Sequence, residues 1–180
     1  MNTVLCHYFT SDDWAVTPEQ IQEETNQKPD FVVEKVKTVN DRFWLFPHIY
    51  VEIKKDTEAG FIQAMNQVVE AIGPRVGRSD TKSSFVIVGR GRHIAFFHYF
   101  HDCQSQQGSN TPNHCGLIPL YLSPHNDRLE TNPNNTNTFL QTIKNSRRDK
   151  QEEVLLNWVE DHELIHSFFT LLKESPLPSI

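Results

Sequence analysis

No segment narrows the choice of folds as sharply as residues 29–54. Pro29-Asp30 opens an apolar run, Phe31-Val32-Val33, and a second run reads His48-Ile49-Tyr50-Val51-Glu52-Ile53-Lys54. In the second run Ile49, Val51 and Ile53 alternate with His48, Tyr50, Glu52 and Lys54, the period-two pattern of a strand with one buried face. The same alternation places Glu52 and Lys54 on one face with parallel side chains. If the two runs pair, Asp30 sits beside Glu52. Two carboxylates about 5 Å apart repel by roughly 3 kcal/mol at an effective dielectric of about 20. Such a pair either raises one pKa or binds a cation. An oxygen-preferring divalent metal with a lysine beside it suits phosphodiester hydrolysis.

Pro29-Asp30 followed by Glu52-Ile53-Lys54 resembles the PD-(D/E)XK nuclease superfamily, which includes restriction endonucleases and Holliday-junction resolvases. The resemblance covers residues 15–100. It implies an α/β fold with a central mixed β-sheet flanked by helices, restriction-endonuclease-like, and a metal-dependent nuclease. Asp30 and Glu52 would bind Mg²⁺ or Mn²⁺, with the Ile53 carbonyl as a further ligand. Lys54 would orient the attacking water and balance charge in the transition state. Members often carry one more acid on a helix before the Pro-Asp strand. Glu23 or Glu24 stands there, although both lie close to Asp30 and also read as helical surface charge.

The segments around the motif are assigned from their own patterns. Ala59 to Ile72 carries Phe61, Ile62, Met65, Val68, Val69 and Ile72 at helical spacing, with an expected stop at Gly73-Pro74. Gln63 and Gln67 lie four apart on one helical face. The resemblance implies that one of them supports the metal or its water; as plain surface residues both would be exposed. Ser83 to Phe100 reads as two apolar strands broken by the turn Gly89-Arg90-Gly91-Arg92, with Phe85 to Val88 as a central, doubly covered strand. Lys55, Arg90 and Arg92 are candidate contacts to nucleic acid. Thr17 and Pro18 are expected to open a helix running to Asn26. Gly116 to Leu122 reads as an edge strand because of Pro119. Residues 137–174 are expected to be helical in two pieces. Their apolar stripe is Leu155, Leu156, Val159, Ile165, Phe168, Phe169 and Leu172.

Two other chemistries are written in the chain. His162-Glu163-Leu164-Ile165-His166 is a literal H-E-x-x-H, the signature of zinc metalloproteases, with both histidines on one helical face. No third ligand follows at a suitable spacing, and a capping helix with surface histidines is the competing assignment. His98, His101, Cys103, His114 and Cys115 are zinc-binding residue types, but their spacing matches no finger. A further alternative keeps the nuclease fold without catalysis, as a binding module, because fold alone does not fix function.

Composition sets the outer bounds. With 180 residues and 37% apolar content, the chain fits a single domain, its core spanning about 15–122. The first seven residues lack a basic, then apolar, leader, and no stretch is long enough to span a bilayer. Three cysteines, an odd count, argue against a disulfide framework. The expectation is an intracellular protein that avoids membranes. Charge is uneven: residues 1–34 hold seven acids and one base, residues 35–100 six acids and ten bases, residues 101–180 ten acids and six bases. The positive middle section contains the candidate motif, although a total of −6 disfavours indiscriminate nucleic-acid binding. DNA or RNA is the expected partner, and a homodimer is compatible with the resemblance.

Overall fold

The structure, a computed structural model, describes residues 1–18, 29–56, 60–78, 82–101, 116–131, 139, 143 and 155–176. The assignments to Glu23, Glu24, Cys103, His114 and Cys115 lie outside these residues. Among the described residues a mixed sheet of eight strands is flanked by three helices. In chain order the elements are α1 (Asn2–Tyr8), β1 (Trp14–Pro18), β2 (Phe31–Val39), β3 (Arg42–Lys54) and α2 (Phe61–Arg78). After them come β4 (Ser83–Arg90), β5 (His93–Phe100), β6 (Leu117–Leu122), β7 (Leu129–Thr131), β8 (Leu156–Asn157) and α3 (His162–Glu174).

The strands lie side by side in sequence order from β1 to β7, with β8 paired to β5. Neighbours are antiparallel except β3 and β4, which are parallel because α2 carries the chain back across the sheet. α2 covers one face, packing Met65, Val68 and Ile72 with Tyr50, Val86, Val88 and Phe97. α1 and α3 cover the other, where Leu5, Phe168 and Phe169 meet Ile49, Val51, Ile87 and Phe96. Phe96 and Phe168 stack at 4.4 Å between ring centroids. β4, between β3 and β5, is buried from Ser83 to Gly89, which is why its apolar run shows no alternation.

Several expectations are corrected. The strand of residues 48–54 is buried on both faces rather than one, because α2 covers Tyr50 and Glu52. His48 does not share their face. Val33 pairs with Ile49 but Glu34 with Pro47, so His48 is the extra residue of a β-bulge. The bulge turns its ring toward Trp14 and Phe85, with centroids at 5.0 and 5.2 Å. Its Nε2–H donates to the Leu172 carbonyl at 2.7 Å.

Thr17 and Pro18 do not start a helix. They are the last residues of β1, opposite Val32 and Phe31, and edge position explains why a proline is tolerated there. α2 does not stop at Gly73-Pro74 but runs to Arg78. A proline inside a helix costs about 3 kcal/mol, and burial of Val76 in the core beyond it offsets part of that cost. A Cβ on Gly73 would lie 3.4 Å from the Tyr99 hydroxyl, so glycine here permits close helix–sheet approach.

β6 is not an edge strand, since β5 and β7 flank it. Pro119 stands where the pairing with β5 ends, and pairing with β7 begins at Leu120. The C-terminal region is not helical throughout 137–174. Leu156 and Asn157 form β8, and α3 begins only at His162. Asp161 enforces that break: its Oδ2 accepts the Asn157 N–H at 2.7 Å, tying a turn across the residues between. Val159 is 70% exposed and leaves the expected apolar stripe.

Candidate active site

Asp30, Glu52 and Lys54 come together at one end of the sheet. Phe31 pairs with Val51, so Asp30 lies one step beyond that pair, opposite Glu52. Alternation puts Asp30 on the face of Val32 and Glu52 on the face of Tyr50, the side that α2 covers. Asp30 Oδ2 accepts the Ile53 N–H at 2.6 Å, which anchors the acid against β3. Lys54 Nζ lies 2.6 Å from Glu52 Oε1. Glu52 is 3% exposed and Asp30 half-buried.

Electrostatics give this trio its character. Burial raises the Glu52 pKa, and the charge of Asp30 raises it further, while the ion pair with Lys54 pulls it down without cancelling the shift. Burial and the neighbouring carboxylate therefore both disfavour the ionised form of Glu52, with Lys54 as its ion-pair partner. A bound divalent cation would reverse that balance. The donors are oxygens, the set that suits Mg²⁺ or Mn²⁺ rather than a softer ion. On this ground the residues fit such a metal. The pair of carboxylates is the extent of the acidic set: among the described residues no three His, Cys, Asp or Glu side chains gather around one point. Glu24, the third candidate acid, lies outside the described residues.

The two glutamines of α2 part company. Gln63 is exposed, whereas Gln67 is half-buried, and its Oε1 is buried with no hydrogen-bond partner among the described residues. An unsatisfied buried amide oxygen costs about 1–3 kcal/mol, so its retention singles out Gln67 over Gln63 as a candidate positioning group.

The candidate phosphate contacts also separate. Lys55 is exposed beside the site. Arg90, opposite Lys54 in the parallel ladder, donates from Nη2 to the Asp56 carbonyl at 2.8 Å and lies 4.0 Å from its carboxylate. Arg92 is exposed in the β4–β5 turn, and its carbonyl accepts the Trp158 N–H. Asp56 is the residue that sequence reasoning missed. It engages Arg90, and a Cβ on Gly91 would lie 2.9 Å from the Asp56 Cβ, at a φ of +57° that favours glycine. Gly91 in turn donates its N–H to the Lys54 carbonyl at 3.0 Å, closing the turn onto β3. The only sequence signal for this was the glycine between two arginines.

The H-E-x-x-H segment lies elsewhere, at the start of α3. His162 is exposed with Nδ1 3.3 Å from the Val159 carbonyl, and His166 Nδ1 is 2.7 Å from the Tyr8 hydroxyl. His98 is buried on β5, and Cys103, His114 and Cys115 lie outside the described residues.

No protein-family model, curated protein or solved structure matches the chain. No helix among the described residues is long and apolar enough to cross a membrane.

Proposed function

We propose that this chain is a metal-dependent nuclease of the PD-(D/E)XK type, with a restriction-endonuclease-like core, hydrolysing phosphodiester bonds in nucleic acid. One observation carries the reading: Asp30, held to the Ile53 backbone, stands across from a Glu52 that is buried and paired with Lys54. The order Pro-Asp then Glu-x-Lys, on adjacent strands meeting at one sheet end, is the arrangement that the resemblance implies.

Asp30 and Glu52 would hold Mg²⁺ or Mn²⁺, with the Ile53 carbonyl as a further oxygen ligand. When bound, the cation polarises the scissile phosphate and offsets the charge that accumulates on it. Lys54 has an ammonium with three donors, one of them on Glu52. It aligns the attacking water and stabilises the developing negative charge. Gln67, on α2, would support the water or the ion, as the resemblance implies. Exposed Lys55 and Arg92 hold the phosphodiester backbone alongside, and Arg90 braces the turn through Asp56.

The test is cleavage of labelled DNA and RNA with Mg²⁺ or Mn²⁺. Asp30→Ala and Lys54→Ala should each abolish cleavage while the protein stays folded. Full activity in either variant would refute the assignment, and a binding module without catalysis would leave the wild type inactive on every substrate.

A further inference from the structure

The β2–β3 hairpin projects beyond the rest of the sheet. β1 pairs with β2 only as far as Lys35, and β4 joins β3 only from Ile49. Beyond Val36, whose N–H donates to the Asp13 carbonyl at 2.7 Å, the two strands pair only with each other among the described residues and end in the Asn40-Asp41 turn. Both turn residues have positive φ, 52° and 57°, as a two-residue type I′ turn requires. The arm is therefore a regular, two-stranded ribbon.

Its register sorts the side chains. Lys35 pairs with Phe46, Lys37 with Trp44 and Val39 with Arg42, and residues directly opposite share a face. One face thus collects Lys35, Lys37, Val39, Arg42, Trp44 and Phe46. The other carries the uncharged Val36, Thr38, Phe43 and Leu45. Trp44 is 53% exposed and Phe46 39%, so both rings are open to a partner. Lys37 Nζ sits 5.0 Å over the Phe46 ring, holding a cation against an aromatic face. Residues 35–46 contain three bases and one acid, net +2, in a chain of net −6, leaving −8 for the remainder. A cationic, aromatic strip on an otherwise acidic chain is complementary to a polyanion with flat faces.

We infer that this face of the arm is a platform for single-stranded nucleic acid. Unpaired bases stack on Trp44 and Phe46 while Lys35, Lys37 and Arg42 hold the phosphates. The inference rests on the nuclease reading and deepens it, assigning the substrate a single-stranded segment. The hairpin tip lies about 33 Å from Asp30 along β2, at about 3.3 Å per residue. Substitutions on the arm therefore probe binding without touching the cleavage site.

Fluorescence anisotropy in EDTA tests it, using labelled oligothymidylate of about 20 nucleotides and the full chain. Trp44→Ala should weaken binding roughly ten-fold and Trp44→Phe much less, since stacking needs a ring. Lys37→Ala should reduce the slope of log affinity against log salt by about 0.7. Phe43→Ala, on the opposite face, should change neither. Unchanged affinity in Trp44→Ala would overturn the platform. So would sedimentation showing a wild-type dimer that Trp44→Ala converts to monomer with oligonucleotide affinity intact, because the arm would then belong to a second copy. Because EDTA removes the metal, a wild type that never cleaves would sink the nuclease reading without affecting this result. Conversely, cleavage that depends on Lys54 would survive loss of the Trp44 effect.

Discussion

Asp30 spans the gap between two strands: its Oδ2 accepts the backbone N–H of Ile53 at 2.6 Å, although the two residues lie 23 apart in sequence. One acid thus has two tasks, satisfying a backbone donor and carrying charge toward Glu52. Asp30→Asn and Asp30→Ala separate them. The asparagine retains an acceptor for Ile53, so its stability should match wild type within about 1 kcal/mol, whereas alanine strands the donor and should cost about 1–2 kcal/mol. Both should lose cleavage at least about 100-fold, because neither supplies a charged metal ligand. Urea melts alongside initial rates would check the pair.

Glu52 sets a pH dependence whose sign follows from its environment. Burial and Asp30 raise its pKa above the usual 4.5, so the folded state binds its proton more tightly than the unfolded state. The resulting contribution to stability is fully present below pH 4.5 and is lost as pH rises through the raised value. Glu52→Gln, uncharged throughout, should therefore be at least as stable as wild type at pH 8, yet inactive. Melting temperatures of both proteins at pH 4 and 8 would show it. Affinity for Mn²⁺ should likewise rise with pH across the same range in the wild type, since metal binding requires the ionised carboxylate.

Gln67 should behave as a functional group rather than a structural one. Its unsatisfied oxygen works against folding, so Gln67→Leu should be neutral or stabilising by about 1 kcal/mol. If the amide supports the metal or its water, the same change should weaken Mn²⁺ binding about 10- to 100-fold. Gln63→Leu, on the exposed side of α2, should do neither.

Two buried histidines predict acid sensitivity. Burial lowers the pKa of both His48 and His98 from 6.5 to about 4. Between these values the unfolded chain takes up protons that the folded chain does not, so stability falls as pH drops from 6.5 toward 4. Each histidine contributes up to about 3 kcal/mol to that fall, by linkage at 1.36 kcal/mol per unit. His98 Nε2 has no partner, and the ring lies 3.8 Å from Phe100. His98→Phe should remove one of the two histidine contributions, measured as a shallower difference in unfolding free energy from wild type across that window.

The core motif was readable because alternation from Ile49 to Ile53 and the apolar run after Asp30 report strand pairing directly, and pairing puts the two acids face to face. What defeated sequence reasoning were long-range effects. The bulge at His48 shifts register by one residue and moves a polar side chain into the aromatic layer; Pro47 beside it was the one local sign, since prolines within strands favour edges and bulges. Pro18 and Pro74 are weak witnesses, since an edge strand admits the first and core burial beyond the second sustains the helix. The hairpin arm escaped notice because Phe43-Trp44-Leu45-Phe46 has no alternation; both faces of a projecting ribbon are exposed, so no buried face imposes a period of two. Asp56 contributes to the site through its backbone carbonyl, which no residue type reveals.

Titration calorimetry with Mn²⁺ most directly tests the proposal that Asp30 and Glu52 share one ion. The account predicts one saturable site in the wild-type chain, lost in Asp30→Ala and in Glu52→Gln, and retained in His162→Ala. A wild type with no saturable site, or one whose binding survives both carboxylate substitutions, would contradict it.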